Sequence, residues 1–105
     1  MITKLIQKYY SYKYNLMLKS VRSDKKFIVK QLIVCQKAYE EGYWYEGIYK
    51  GYHSFLGKIL AKSLKLYYKS ESEIIFQAHR ILEECIVEAE EIIGKSLYHK
   101  IKDLN

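Results

Sequence analysis

Histidine and cysteine, which often carry catalysis or bind metals, are few in this 105-residue sequence. By helical spacing, Glu46 and His53 share one helix face, as do His79 and Glu83. Each pair supplies two ligands, whereas a zinc site takes three or four from the protein. We therefore expect no metal site and no cofactor, and we interpret these side chains as solvated surface groups.

The two cysteines, Cys35 and Cys85, lie in separate apolar helical stretches. A cysteine nucleophile needs a neighbouring base and partial exposure, which these stretches do not indicate. Two buried thiols in a reducing compartment are expected, with a disulfide between two helices as the alternative. Phosphate-loop glycine motifs and Glu-x-x-His pairs for a di-iron site are absent from the sequence. A binding function is therefore favoured over an enzymatic one, although the enzyme question stays open.

Lysines form a row towards the middle of the chain, within about 60° of arc on a predicted helix. With lysines near the N-terminus they would form a phosphate-binding stripe for RNA or DNA, and Tyr67 and Tyr68 are placed to stack on bases. The alternative is a solvated face, or pairing with glutamates of the last predicted helix. The candidate nucleic-acid-binding residues are Lys4, Lys8, Lys58, Lys62, Lys65 and Lys69, with Lys13 beside them.

Small residues and tyrosines indicate an interface. Gly47, Gly51 and Ser54 lie opposite the apolar stripe of a predicted helix, where glycine costs about 1 kcal/mol relative to alanine. We expect close approach of a crossing helix there, from the same chain or a second subunit. Tyrosines at 9, 10, 12 and 14 cover most of a helix circumference, so Tyr10 and Tyr14 are predicted at the interface of a homodimer.

Apolar spacing predicts an all-α fold, a four-helix up-and-down bundle in one domain over residues 1–105. The first helix covers about 2–20, and Ser23 is the expected N-cap of the second, which ends near Gly42. The third covers about 44–68. The fourth opens with a capping box at Ser70 and Glu73 and is ended or bent at Gly94. Its predicted inward residues are Ile75, Ala78, Leu82, Cys85, Ala89 and Ile92. A short helical tail, Leu97 to Leu104, follows.

Composition fits a helical protein with a divided charge. There is no proline, there are twelve tyrosines, and the net charge is +6. Residues 1–69 carry 14 basic and 4 acidic side chains, and residues 70–105 carry 4 and 8, so the two parts have charges of +10 and −4. This split favours self-complementary packing or a polyanionic partner. No apolar leader or membrane span is indicated, so we expect a cytoplasmic protein; the composition fits a thermophilic source or an AT-rich genome.

Residues 31–64, QLIVCQKAYEEGYWYEGIYKGYHSFLGKILAKSL, resemble the central helix pair of HEPN domains. In that family a helix ends in Ala-x-x-x-x-Gly, a tyrosine follows, and the next helix carries small residues before a Tyr-His or Tyr-Tyr pair. The positions compared are Ala38, Gly42, Tyr43, Gly47, Gly51, Tyr52 and His53, with three residues instead of four between Ala38 and Gly42. The archaeal PaREP-type helical proteins share a similar hairpin.

The resemblance implies a four- or five-helix bundle, a homodimer, and a role in RNA cleavage or in partnering a small nucleotidyltransferase. HEPN ribonucleases carry Arg-x4–6-His near the last helix, and neither Arg22 nor Arg80 has a histidine at that distance. The implied function is therefore a non-catalytic one that binds a protein partner or RNA. A divergent ribonuclease around Lys50, Tyr52 and His53 is a further alternative.

Overall fold

The computed structural model describes residues 2–43 and 46–97, and gives only the backbone for residues 46–50, 52 and 53. Three helices form the described part: α1 over Ile2–Glu40, α2 over Glu46–Leu64 and α3 over Glu71–Ile93. Within these residues all regular structure is helical, so the predicted all-α class is confirmed.

Helix α1 is continuous, and the predicted break at Ser23 is wrong. Residues 20–23 are helical, and Ser23 is exposed within a 39-residue helix. Asp24, expected in the first turn of a second helix, instead accepts a hydrogen bond from the hydroxyl of Ser63 on α2. The predicted count of four helices is not confirmed, because the first two predicted helices form one.

Polar contacts establish that the helices run up, down and up. Near the middle of α1, the Ser20 hydroxyl lies 2.7 Å from that of Ser63 at the end of α2. Lys25 pairs with Glu84 of α3 at 3.1 Å. Beyond α3, Lys95 pairs with Glu40 at the end of α1. Helix α2 is therefore antiparallel to both neighbours.

The core lies between residues 17–36 of α1 and the other two helices. Leu32 of α1 and Leu56 and Leu60 of α2 are at most 1% exposed. Four of the six α3 residues predicted to face the core are buried, and the other two, Ile75 and Ile92, are exposed. The α3 residues that do face the core are Ile74, Ala78, Ile81, Leu82, Cys85, Ile86 and Ala89.

The predicted helix ends are largely confirmed. Gly42 and Gly94 have φ of +83° and +74°, a left-handed conformation that glycine adopts without a Cβ penalty. At the start of α3, the Ser70 hydroxyl accepts a hydrogen bond from the Glu73 amide at 3.4 Å. Leu97 is buried, and the rest of the predicted tail lies outside the described residues.

Candidate functional site

The first part of α1 extends beyond the three-helix core. A 39-residue helix is about 58 Å long, close to the 60 Å longest dimension of the molecule. The first buried residue of α1 is Met17. Residues 2–16, called the arm below, therefore form roughly 22 Å of helix without a buried side chain.

Large apolar side chains cover the arm. Their exposed fractions range from 40% at Tyr14 to 75% at Ile2. Residues at positions 2, 5, 9, 12 and 16 recur at the alternating spacing of three and four that forms one stripe on a helix. The exposed apolar residues of the arm are Ile2, Leu5, Ile6, Tyr9, Tyr10, Tyr12, Tyr14 and Leu16.

The apolar stripe of the arm points away from the core. At 100° per residue, the stripe of Leu5, Tyr9 and Leu16 is rotated by about 130° from the buried residues of the same helix, such as Val21 and Ile28. Two exposed apolar residues further along α1, Phe27 and Val34, share the stripe's direction. We name the exposed apolar residues on this side of α1 the α1 stripe; they are Ile2, Leu5, Tyr9, Tyr12, Leu16, Phe27 and Val34.

Aromatic rings join the arm to the core. The Tyr14 ring contacts the Tyr67 ring edge-on at a centroid distance of 5.0 Å, and Tyr67 contacts Tyr68 at the same distance. Tyr14 is therefore partly packed at the base of the arm. Tyr10, the other predicted interface tyrosine, contacts only Tyr9 among the described ring contacts, at 5.7 Å.

Two lysines lie near the Tyr9 ring of the arm: Lys13, on the arm itself, and Lys69, from the predicted row. The Lys13 ammonium lies 5.1 Å from the centre of the Tyr9 ring. Its hydrogen bond and charge lower the pKa of Tyr9, with a smaller contribution from Lys69. Lys69 therefore lies near the arm. Burial raises the pKa of Tyr68, the residue before Lys69.

The other candidate lysines lie on the arm and on α2. Lys4 and Lys8 line a shallow polar depression on the arm with Gln7, Ser11 and Asn15, on another side from Lys13. On α2 and beyond, Lys58, Lys62, Lys65 and Lys69 are exposed. In the described part of the chain no ion pair includes them, so the alternative of pairing with α3 glutamates has no support there.

The small residues of α2 border a groove. Ser54, Gly57 and Ala61 face Ala78 and Leu82 of α3 across a cavity of about 310 Å³. A Cβ at Gly51 or Gly57 would meet no atom within 4 Å, so the expected close approach of a helix from the same chain is wrong at these two positions. The surroundings of Gly47 lie outside the described residues.

The cysteines and histidines supply no reactive site in the described residues. Both cysteines are buried and free, as expected, and burial raises the pKa of each thiol to about 11. Within residues 2–43 and 46–97, no three metal-ligating side chains come together where they could hold an ion. His79 and Glu83 are exposed on α3, and the side chain of His53 lies outside the described set.

The geometry defines an all-α protein with three packed helices and a projecting, apolar helical arm. Comparisons with known proteins found no match: no family model fits the chain, and no curated protein or solved structure is significantly similar to it. The HEPN-like and PaREP-like resemblance therefore stays a prediction. None of the helices in the described residues has the length and apolar character needed to span a membrane.

Sequence reasoning predicted tyrosines of this segment at an interface, but it missed that the whole segment projects beyond the core as an arm. The face of Leu5, Tyr9, Tyr12 and Leu16 is readable from the spacing, but its position outside the core is not. The sequence does contain one indication of it, the rotation around the helix axis between this apolar stripe and the apolar stripe that follows Ser23. That rotation is meaningful only if the helix continues through Ser23.

Proposed function

We propose that this protein is a non-catalytic, HEPN-like helical interaction domain that self-associates through its arm and binds a protein partner. The observation that carries the proposal is the arm's set of eight exposed large apolar side chains. Soluble monomers rarely expose so large a contiguous apolar patch, and such patches mark interfaces. Tyrosine is enriched at interfaces because it combines a broad apolar ring with a polar hydroxyl.

The hairpin between α1 and α2 supports the HEPN-like part of the proposal. Gly42 has a left-handed conformation, and the Tyr43 amide donates to the Ala38 carbonyl at 2.9 Å. These residues are three of the positions on which the resemblance rests. A small nucleotidyltransferase is the partner class that the resemblance implies.

Solution mass at several protein concentrations tests self-association. We expect a dimer that dissociates on dilution, and we expect Tyr12→Ser to weaken it by about thirtyfold, which corresponds to roughly 2 kcal/mol for a central aromatic residue. Tyr43→Ser is the matched control, because Tyr43 is similarly exposed but lies outside the arm. A wild-type protein that remains monomeric at all concentrations contradicts the proposal.

A second candidate function is binding of RNA or DNA. It is favoured by the exposed lysines of α2, which make no ion pair within the described residues. Binding of a labelled single-stranded RNA should weaken steeply with salt, and Lys58→Glu/Lys62→Glu should weaken it further. Arg22→Glu/Lys37→Glu makes the same charge change on exposed residues of α1, outside the lysine row and the apolar stripe. Equal loss in both variants would indicate only a response to net charge.

The divergent-ribonuclease alternative has the least support. It depends on Lys50, Tyr52 and His53, whose side chains lie outside the described set. If cleavage of a labelled RNA is seen and survives in His53→Ala, this alternative is excluded.

A further inference from the structure

The α1 stripe has a pattern that a second copy of the same helix would match. Beyond the arm, Phe27 and Val34 are exposed and seven residues apart. Within the arm, Ile2 and Tyr9 are also exposed and seven residues apart. In an antiparallel pair of helices, residues that face each other have a constant sum of residue numbers, so two pairs with the same spacing can meet in a single register, here with a sum of 36.

From this pattern we infer that the occupant of the arm is a second copy of this chain, packed antiparallel along α1. The inference rests on the proposed self-association and specifies its geometry. Tyr9 of each copy faces Phe27 of the other, and Ile2 faces Val34. Near the twofold axis, Leu16 of each copy comes level with Ser20 of the other, whose hydroxyl lies against Ser63 of its own α2.

The exposed area is sufficient for a stable dimer. Ile2, Leu5, Tyr9, Tyr12 and Leu16 are 42–75% exposed, and Phe27 and Val34 are 44% and 57% exposed. Large aliphatic and aromatic side chains at such exposures present on the order of 100 Å² each, so these seven side chains offer roughly 700 Å² per copy. That is about the area each partner contributes to a standard interface.

The charges beside the α1 stripe give the dimer a distinctive salt response. Lys8, Lys26 and Lys30 lie along one flank of the stripe, so that two antiparallel copies bring these positive charges together, whereas Lys13 on the other flank comes level with Asp24. Added salt screens this repulsion and strengthens apolar contact, and the dimer is expected to tighten as salt rises. RNA binding responds to salt in the opposite direction, which separates the two proposals.

Cysteine crosslinking across the dimer tests the register. The native thiols, Cys35 and Cys85, are buried, with pKa values raised to about 11, and contribute little background at neutral pH. Under a mild oxidant, the full-length Tyr9→Cys/Phe27→Cys variant should shift from monomer to covalent dimer on a non-reducing gel. Each single variant should remain monomeric on the same gel. Tyr9→Cys/Tyr43→Cys is the control, because position 43 lies off the stripe.

The outcomes separate this inference from the proposed function. A wild-type dimer whose Tyr9→Cys single variant crosslinks to itself would indicate a parallel pair, and a wild-type dimer without any 9-to-27 crosslink would indicate another surface. Either result overturns the antiparallel register while self-association stands. A wild-type monomer in solution overturns both. A dimer that weakens as salt rises also contradicts the inference.

Discussion

The continuity of α1 can be tested with a single substitution whose effect changes sign between the two possible structures. In a continuous helix, Ser23 is an exposed interior residue, and alanine is the better helix former there by a few tenths of a kcal/mol. If Ser23 were the N-cap of a separate helix, Ser23→Ala would remove the cap and destabilise the protein by about 1 kcal/mol. The structure therefore predicts a small gain of stability in Ser23→Ala.

Urea unfolding followed by circular dichroism measures the difference, at a protein concentration where the oligomeric state does not change. Ser70→Ala is the reference, because Ser70 is the N-cap of α3 and its hydroxyl accepts a hydrogen bond from the Glu73 amide. We expect Ser70→Ala to lower the free energy of unfolding by about 1 kcal/mol and Ser23→Ala to raise it slightly. The two serines are both exposed, so burial does not confuse the comparison.

A proline substitution at the same position strengthens the test. Ser23→Pro in a continuous helix removes a backbone hydrogen bond and costs about 3 kcal/mol or more. That cost is a large fraction of the 5–15 kcal/mol stability typical of a domain. Equal destabilisation by Ser23→Ala and Ser70→Ala, together with tolerance of Ser23→Pro, would refute the continuous helix and with it the projecting arm.

Three further predictions concern the core, a helix end and the thiols. Leu60→Ala, at a fully buried position of α2, should lower the free energy of unfolding by about 2–5 kcal/mol in urea titrations. Gly94→Ala should cost about 1 kcal/mol by the same assay, because its φ is +74°. Burial raises the pKa of Cys35 and Cys85 from 9.0 to about 11. Stability contributed by the neutral thiols is therefore present below pH 9 and lost as pH rises towards 11, which unfolding measured across that range would detect.

Helix ends were predictable because their signals are local. Glycine at positions 42 and 94 ends a helix through its own backbone freedom, and Ser70 caps α3 through a contact three residues away. The break at Ser23 failed for a non-local reason. Aspartate is a residue type that often caps helices, but the Asp24 carboxylate accepts a hydrogen bond from Ser63, 39 residues away. The helix continues through Asp24 without interruption.

The faces of α3 show a similar limit. Spacing alone placed Ile75 and Ile92 towards the core, yet both are exposed, while Ile74, Ile81 and Ile86 are buried. A helix with apolar residues on more than half of its circumference can be turned in several ways. The packing of α1 and α2, and not the periodicity of α3, decides which isoleucines are covered.

The single mistaken break also concealed the candidate site. With a turn at Ser23, a first helix could fold back and lay Leu5, Tyr9 and Leu16 on the core, so the offset of about 130° between the two apolar stripes would carry no information. A continuous helix fixes that offset, and no rotation of α1 can bury both stripes against the same pair of helices. Any cover for the apolar residues of the arm then comes from outside the three-helix core, which is why the state of Ser23 bears directly on the proposed self-association.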